Sequence, residues 1–114
     1  MVASDCLFCR IVEGAIPAEV VRETPASLAF RDLNAQAPTH VLVIPRRHVA
    51  SLGELAEHPD ELADVVGLAR DVAHQDSLDQ GYRLVANTGP QAGQSVYHAH
   101  LHVLGGRDLG WPPG

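Results

Sequence analysis

Three histidines at alternate positions are the residues of this chain best suited to chemistry. They are His98, His100 and His102, which follow a glycine-rich turn and lead into an apolar stretch. Because side chains alternate between the two faces of a β-strand, we predict His100 and His102 on one face, with His98 at the mouth of the strand. The other face then carries Leu101 and Val103. Imidazole, with an ordinary pKa of ~6.5, can act as base, acid, nucleophile or neutral metal ligand near neutral pH.

The turn that precedes these histidines, residues 87–95, is suited to binding an anion. Gly89 and Gly93 allow the backbone to bring N–H groups close to an anion, and Gln94 and Ser95 add side-chain donors. Donors for phosphate beside an imidazole predict a phosphoryl-transfer site.

Composition narrows the class of protein. The chain has 114 residues, of which 46% are hydrophobic and 19% charged, which is typical of a soluble globular protein. We therefore predict a single domain over residues 1–114. No apolar run approaches the ~20 residues of a membrane span, and the first residues lack the basic stretch of a signal peptide. These features predict a cytoplasmic protein with no membrane partner.

The charged residues exclude several mechanisms. The net charge is −6, and every basic side chain other than histidine is an arginine. Without lysine, neither a Schiff-base lysine nor a P-loop lysine is possible. An acidic chain with scattered arginines also lacks the basic surface of a nucleic-acid-binding protein. A phosphate must therefore be held by local donors.

The elements that position these residues follow from the apolar pattern. Asp5 is predicted as the N-cap of the first helix, and Pro59 as the first residue of the long helix. In chain order we predict a helix over 6–13, strands over 19–23, 28–32 and 41–44, a turn or short helix over 51–56, a helix over 59–75, a strand over 82–86 and the histidine strand. Closely spaced strands before the long helix favour an antiparallel sheet. We expect an α+β domain of five antiparallel strands and two helices.

The histidine segment resembles the signature of the histidine triad family, H-x-H-x-H with apolar residues between, and most closely its nucleoside phosphoramidase (Hint-like) branch. The likeness extends from Cys6 to the ending Trp111-Pro112-Pro113-Gly114. It implies a homodimer that joins two five-stranded sheets into one of ten strands, with Trp111 as an anchor for the partner subunit. Ser95 and the ending favour the phosphoramidase over a dinucleoside polyphosphate hydrolase.

The resemblance also implies a mechanism and a purine nucleotide substrate. His100 attacks the α-phosphorus of a nucleoside 5′-phosphoramidate, and water then hydrolyses the nucleotidyl-histidine to the monophosphate. We expect the other ring nitrogen of His100 to donate to a backbone carbonyl near His98, and we expect no requirement for magnesium. Ser95 is implied near the leaving amine. The implied phosphate contacts are His102, Asn87, Gly93, Gln94 and Ser95.

The nucleoside is implied to bind beside the second strand of the hairpin. Asp32 would pair with the ribose hydroxyls, although from the sequence alone an aspartate before Asn34 is also a common turn residue. The implied walls of the base pocket are Leu7, Phe8, Phe30 and Leu33, which could equally be core residues. Arg31 stands where the family often has histidine. His40, next to the apolar strand, is at most a residue behind the site.

The C-x-x-C motif of Cys6 and Cys9 is weak evidence for a metal site on its own, since two cysteines supply only half of the ligands. The resemblance supplies His48 and His98, and a Cys₂His₂ set suits a structural, tetrahedral zinc. Two inert buried thiols are the alternative. If the zinc is present, His98 has a structural role within the triad and the nucleophile is His100.

Two other functions remain open at this point. Three histidines on a strand could bind a catalytic zinc and make the protein a metallohydrolase. The domain could also be a nucleotide-binding or interaction module with slow turnover.

Overall fold

The computed structural model describes residues 5–114 and contains one five-stranded antiparallel sheet. The elements in chain order are α1 (Leu7–Val12), β1 (Val20–Glu23), β2 (Ser27–Arg31), β3 (Thr39–Pro45), α2 (Leu52–Leu55), α3 (Pro59–Gln75), β4 (Tyr82–Val85), a 3₁₀ turn (Pro90–Ala92) and β5 (Leu101–Gly105). The strands are ordered β1-β2-β3-β5-β4. The predicted α+β fold is confirmed, with three helices instead of two because the segment after residue 51 forms the one-turn helix α2. Within the described residues, no helix is both long and apolar enough to cross a membrane.

Strand β3 is the centre of the sheet because it has the most continuous apolar run. Every residue from Thr39 to Pro45 is buried, and the strand pairs with β2 on one side and β5 on the other. Its side chains alternate between two layers: Val41 and Val43 face α3, whereas Leu42 and Ile44 face the opposite side. In this register Leu42 is the partner of His102. The register thus sets the position of the third triad histidine.

Helix α3 covers one face of the sheet, as its pattern predicts. Pro59 begins the helix, and acidic residues occupy its first turn, where their negative charge interacts favourably with the helix dipole. One apolar stripe is buried against the sheet: Val65, Leu68, Ala69, Val72 and Ala73 pack with Ala29, Val41, Val43, Leu101 and Val103. Burial of each large side chain in this layer contributes roughly 2 kcal/mol.

Helix α1 covers part of the other face through Phe8. Its ring meets that of Phe30 edge to face, with centroids 5.5 Å apart. The predicted N-cap, Asp5, is wrong: the cap is Cys6, whose Sγ accepts a hydrogen bond from the N–H of Cys9 at 3.3 Å. This contact closes the C-x-x-C into one turn, because the sulfur takes the place of the expected carboxylate.

The histidine strand begins later than its alternating pattern predicts. Only His102 lies within β5, whereas His98 and His100 precede it. The reason is a tertiary contact: the N–H of Ala99 donates to the carbonyl of Val49 at 2.7 Å, outside the β-ladder. The predicted alternation still holds within β5, where Leu101 and Val103 enter the α3 layer.

Candidate active site and metal site

The backbone orients the imidazole of His100. Its Nδ1 lies 2.7 Å from the carbonyl oxygen of His98, which is the contact expected from the sequence. A carbonyl only accepts, so Nδ1 carries the proton, and in the neutral ring Nε2 keeps its lone pair. The ring is 9% exposed and lies between Phe8 and His102, with ring centroids 5.2 and 5.1 Å away. His100 therefore presents an unprotonated nitrogen in a fixed direction.

A second hydrogen-bond chain fixes the proton of His102. The backbone N–H of Gln36 donates to Nδ1 of His40 at 3.0 Å, so the proton of neutral His40 is on Nε2. That Nε2 lies 2.9 Å from Nδ1 of His102 and 3.3 Å from a carboxylate oxygen of Asp32. Since His40 donates, Nδ1 of His102 must accept. The proton of neutral His102 is therefore on Nε2, where it can donate to a bound group.

His102 is uncharged at neutral pH. Burial, together with the nearby His100 and His40, lowers its pKa from 6.5 to about 4, against a smaller opposing effect of the carboxylate of Asp32. A neutral imidazole is a hydrogen-bond donor, not a cation, so His102 contributes directed hydrogen bonding to the site rather than net charge.

A pocket beside α1 and β2, of about 260 Å³, opens next to these histidines. We call it the α1–β2 pocket; its lining residues are Leu7, Phe8, Ile11, Ile16, Pro17, Ala18, Glu19, Phe30, Arg31, Asp32, Leu33 and Leu42. All five residues that the sequence assigned to nucleoside binding are in this set. Phe8 of this pocket contacts His100, and Asp32 of this pocket contacts His40, so the pocket lies beside these two histidines.

The turn before the triad is held by Gln94. Its buried side-chain oxygen accepts from the N–H of Gly89 at 2.9 Å, and its nitrogen donates to the carbonyls of Ala50 and Val96. The side chain of Gln94 is thus engaged within the protein and shapes the turn. Gly93 has a φ of +89°, a left-handed conformation that suits glycine.

The remaining predicted contacts lie outside the α1–β2 pocket. Ser95 is exposed and lines a separate cavity of about 340 Å³ with Cys6 and His48. Asn87 is half-buried after β4, and Trp111 is 83% exposed in the C-terminal tail.

Two residues make contacts that were not expected from the sequence. His40 lies behind the site as expected, but its two partners there, Asp32 and His102, were not predicted. The sequence does indicate that His40 has polar partners, because a histidine in a wholly buried strand needs them. Arg31 forms two hydrogen bonds to the carboxylate of Asp76, at 2.7 and 3.2 Å. No sequence pattern links these two residues, which are 45 positions apart.

Four donors converge at the start of α1, which we call the four-donor cluster: Cys6, Cys9, His48 and His98. Nδ1 of His98 lies 3.5 Å from Sγ of Cys6 and 3.4 Å from Sγ of Cys9. Nδ1 of His48 lies 3.2 Å from Sγ of Cys9 and 3.2 Å from Nδ1 of His98. Zn–S bonds of about 2.3 Å and Zn–N bonds of about 2.0–2.1 Å place tetrahedral nitrogen–nitrogen and nitrogen–sulfur pairs about 3.3–3.6 Å apart. The four-donor cluster fits a structural zinc ion.

His98 has the surroundings of a zinc ligand. Its ring is completely buried, and Nε2 donates to the carbonyl of Pro45 at 2.8 Å, which leaves the lone pair of Nδ1 directed at the cluster. Burial lowers the pKa of His98, which favours the neutral form that a metal requires. The side chain of His98 thus belongs to the four-donor cluster.

The three triad histidines do not share one ligand cluster. Among residues 5–114, His98 belongs to the four-donor cluster, whereas His102 groups with Asp32 and His40, and His100 is in neither group. This arrangement disfavours a catalytic zinc held by all three histidines.

The fold and the sequence match those of known proteins. The HIT domain family matches residues 13–109. A HIT family hydrolase from Legionella pneumophila has a solved structure that superposes with a TM-score of 0.92, at 48% identity over 96% of this chain and 100% of that one. This chain belongs to the HIT family.

Two relatives in sequence agree with this assignment. An uncharacterized HIT-like protein of Synechococcus elongatus is 49% identical over 98% of this chain and 99% of its own length. The 14 kDa zinc-binding protein of Zea mays is 46% identical over 97% of this chain and 89% of its own length. The chain thus spans nearly all of these two relatives.

Proposed function

We propose that this protein hydrolyses purine nucleoside 5′-phosphoramidates to the nucleoside monophosphate and an amine. The observation that carries this proposal is the hydrogen bond from Nδ1 of His100 to the carbonyl of His98, because it leaves Nε2 as a nucleophile beside the α1–β2 pocket. Membership of a family that includes proteins called hydrolases supports a hydrolytic reaction.

The reaction proceeds in two displacements at phosphorus. Nε2 of His100 attacks the α-phosphorus, a P–N bond to His100 forms, and the P–N bond to the leaving amine breaks as the amine takes up a proton. Ser95 lies at the amine side in this proposal and relays that proton. Water then attacks the nucleotidyl-histidine, which breaks the bond to His100 and releases the monophosphate.

Neutral donors stabilise the phosphate during both steps. Nε2–H of His102 is directed by His40, and the backbone N–H groups of the 93–95 turn add further donors. Asn87 completes this set in our proposal. Such donors suit an acidic chain, because they hold an anion without a basic surface.

The α1–β2 pocket binds the nucleoside. The carboxylate of Asp32 accepts hydrogen bonds from the ribose hydroxyls, and Phe8, Phe30 and Leu33 contact the base. Leu33 lines the pocket and is fully exposed, so its side chain is available to contact the base.

We further propose that the four-donor cluster of this chain binds zinc and that the chain forms a homodimer. When bound, zinc supplies structural cross-linking of α1 to residues 48 and 98. An exposed Trp111 and a cavity of about 550 Å³ beside the sheet edge at β4 support a partner at this end of the molecule. Sedimentation equilibrium at several concentrations tests the dimer, and Trp111→Ala should weaken it.

The central experiment is mass spectrometry of the protein quenched during turnover of adenosine 5′-phosphoramidate, with peptide mapping across 96–104. We expect an adenylyl group on His100 and none on His98 or His102. Hydrolysis without an adduct would contradict covalent catalysis. Turnover of a diadenosine polyphosphate but not of the phosphoramidate would be compatible with His100 as the nucleophile but would overturn the proposed substrate class.

A further inference from the structure

We propose that Cys6 and Cys9 form a site of reversible oxidation, at which a hydroperoxide converts two metal-binding thiolates into a disulfide, displaces the metal and disturbs the orientation of His100. This inference rests on the proposed function of His100 and concerns its regulation.

His98 links the two sites through a single residue. Its Nδ1 lies within the four-donor cluster, and its carbonyl oxygen accepts the hydrogen bond that orients His100. Two hydrogen bonds join this region to the 45–49 segment. Nε2 of His98 donates to the carbonyl of Pro45, and the N–H of Ala99 donates to the carbonyl of Val49. The 45–49 segment also carries His48, a member of the four-donor cluster. A rearranged cluster therefore shifts the segment that holds the carbonyl on which the tautomer of His100 depends.

The thiol pair is local and accessible. Cys6 and Cys9 are held as thiols in one helical turn, with their sulfurs within 4.8 Å of each other. Side-chain rotation can bring such a pair to the S–S bond length of about 2.05 Å. Cys6 is only half-buried and lines the cavity of about 340 Å³ beside Ser95, which a small hydroperoxide can enter. Cys9 is buried behind it.

The chemistry balances with hydrogen peroxide as the oxidant. The thiolate of Cys6 attacks one peroxide oxygen, giving a sulfenic acid and one hydroxide. The thiolate of Cys9 then attacks the sulfenic sulfur, which forms the disulfide and releases a second hydroxide. Two thiolates have been oxidised, and after uptake of two protons the peroxide has become two waters. A zinc ion in the cluster loses two of its four donors, and the two remaining histidines hold it weakly.

The test follows thiols, metal and the His100 ring without substrate. Zinc-loaded protein is treated with excess hydrogen peroxide, released zinc is measured with a chromogenic chelator, and ¹⁵N NMR of the imidazoles reports which nitrogen of His100 carries the proton. We expect about one zinc released per chain as two thiols disappear. We also expect the Nδ1–H signal of His100 to weaken, and a dithiol with added zinc to restore it.

Two comparisons separate this inference from simple damage. The variant Cys6→His keeps four ligands and leaves only one thiol, so it should retain zinc and the His100 signal under peroxide. Removal of zinc by a chelator under reducing conditions should reproduce the change in the His100 signal without oxidation. This chelator experiment tests the link between the metal and His100 even if Cys6→His does not fold.

Either of two results would overturn the inference. The first is that the thiols of the native zinc-loaded protein resist peroxide. The second is that both thiols and the zinc are lost while the His100 signal stays unchanged. Adduct formation on His100 in the reduced, zinc-loaded protein tests the proposed function separately. If that adduct forms, we expect peroxide to reduce its yield at least ~10-fold.

Discussion

The Nε2 atom of His40 lies 2.9 Å from the Nδ1 atom of His102. The two residues are on adjacent strands, β3 and β5, where the pairing register brings them together. Since Nδ1 of His40 accepts from the backbone, its Nε2–H must be the donor, and the proton of neutral His102 must point away on Nε2. One backbone N–H, at Gln36, thus determines which nitrogen of a histidine at the end of the chain carries hydrogen.

The lowered pKa of the half-buried His102 predicts a loss of stability in acid. Its pKa is 6.5 as an ordinary histidine and about 4 in the folded protein, so the unfolded chain binds more protons between these pH values. The free energy of unfolding should fall as the pH is lowered from about 6.5 to about 4, by on the order of 3 kcal/mol from this group, and this contribution should not change further below pH 4. The groups that face His102 are Asp32, His40 and His100.

Denaturant unfolding of wild type and His102→Asn at several pH values tests this. Asparagine keeps an acceptor for His40 but does not titrate. The variant should show a shallower loss of stability over this range, and the exposed His74→Asn should match the wild type. Both variants retain the four-donor cluster, so metal loss in acid cancels in the comparison. Parallel curves for His102→Asn and wild type would contradict the shifted pKa.

Removal of the nucleophile should abolish turnover but not folding. We expect His100→Ala to lose at least ~10³-fold in kcat, because no other group takes over covalent attack. Binding of adenosine 5′-monophosphate, measured by calorimetry, should persist, since the α1–β2 pocket is intact. His74→Ala, at an exposed helix position, is the matched control. A turnover rate near that of the wild type would reject His100 as the nucleophile.

The sequence predicts much of the local structure and less of the contacts between segments. Helix α3 is predicted at its observed bounds, since its pattern and its proline lie within one segment. The tautomer of His100 is predicted because its partner is two residues away. The start of β5 is not, because it depends on Val49, and neither is the engagement of Gln94 with Ala50. These contacts join residues more than forty positions apart, beyond any local pattern.

The carboxylate of Asp32 should recognise the ribose specifically. It lies beside His40 and also accepts from the N–H of Asn34 at 2.8 Å, which fixes its direction at the pocket. We expect Asp32→Asn to weaken binding of adenosine 5′-monophosphate by ~10-fold or more, since a charged acceptor for two hydroxyls is lost. The 2′,3′-dideoxy nucleotide is the control ligand, and its affinity should change much less. Equal losses of affinity for both ligands would mean that the substitution perturbs the pocket and that Asp32 does not recognise the ribose hydroxyls.

Metal removal should destabilise the protein. Cys9→Ala removes one of four donors and leaves three that cannot complete a tetrahedral site. We expect purified wild type to contain about one zinc per chain by elemental analysis, and Cys9→Ala to contain much less. The variant should lose more than about 3 kcal/mol of unfolding free energy in the presence of zinc. A chelator should lower the Tm of the wild type and leave that of Cys9→Ala nearly unchanged. Wild-type protein purified without chelators and free of metal would contradict the zinc assignment.

The pair of Arg31 and Asp76 should stabilise the fold, since it joins the end of β2 to the C-terminus of α3. The hydrogen bonds from Arg31 are the main reason that the pKa of Asp76 is lowered, and the hydroxyl of Thr39 adds a third hydrogen bond at 2.9 Å. The side chain of Asp76 is only 14% exposed, so loss of its partner leaves a poorly solvated charge. We expect Arg31→Met to cost about 1–3 kcal/mol at neutral pH.

The double variant Arg31→Met with Asp76→Asn should recover part of this loss, because no unpaired carboxylate remains. A depressed carboxyl pKa stabilises above the unfolded pKa of 3.8 and the effect is lost below it. The difference between Arg31→Met and wild type should therefore shrink as the pH falls below about 3.8. Chemical unfolding of the four proteins of this cycle at neutral and acid pH measures both effects. Additive losses in the double variant would mean that the two side chains stabilise the fold independently.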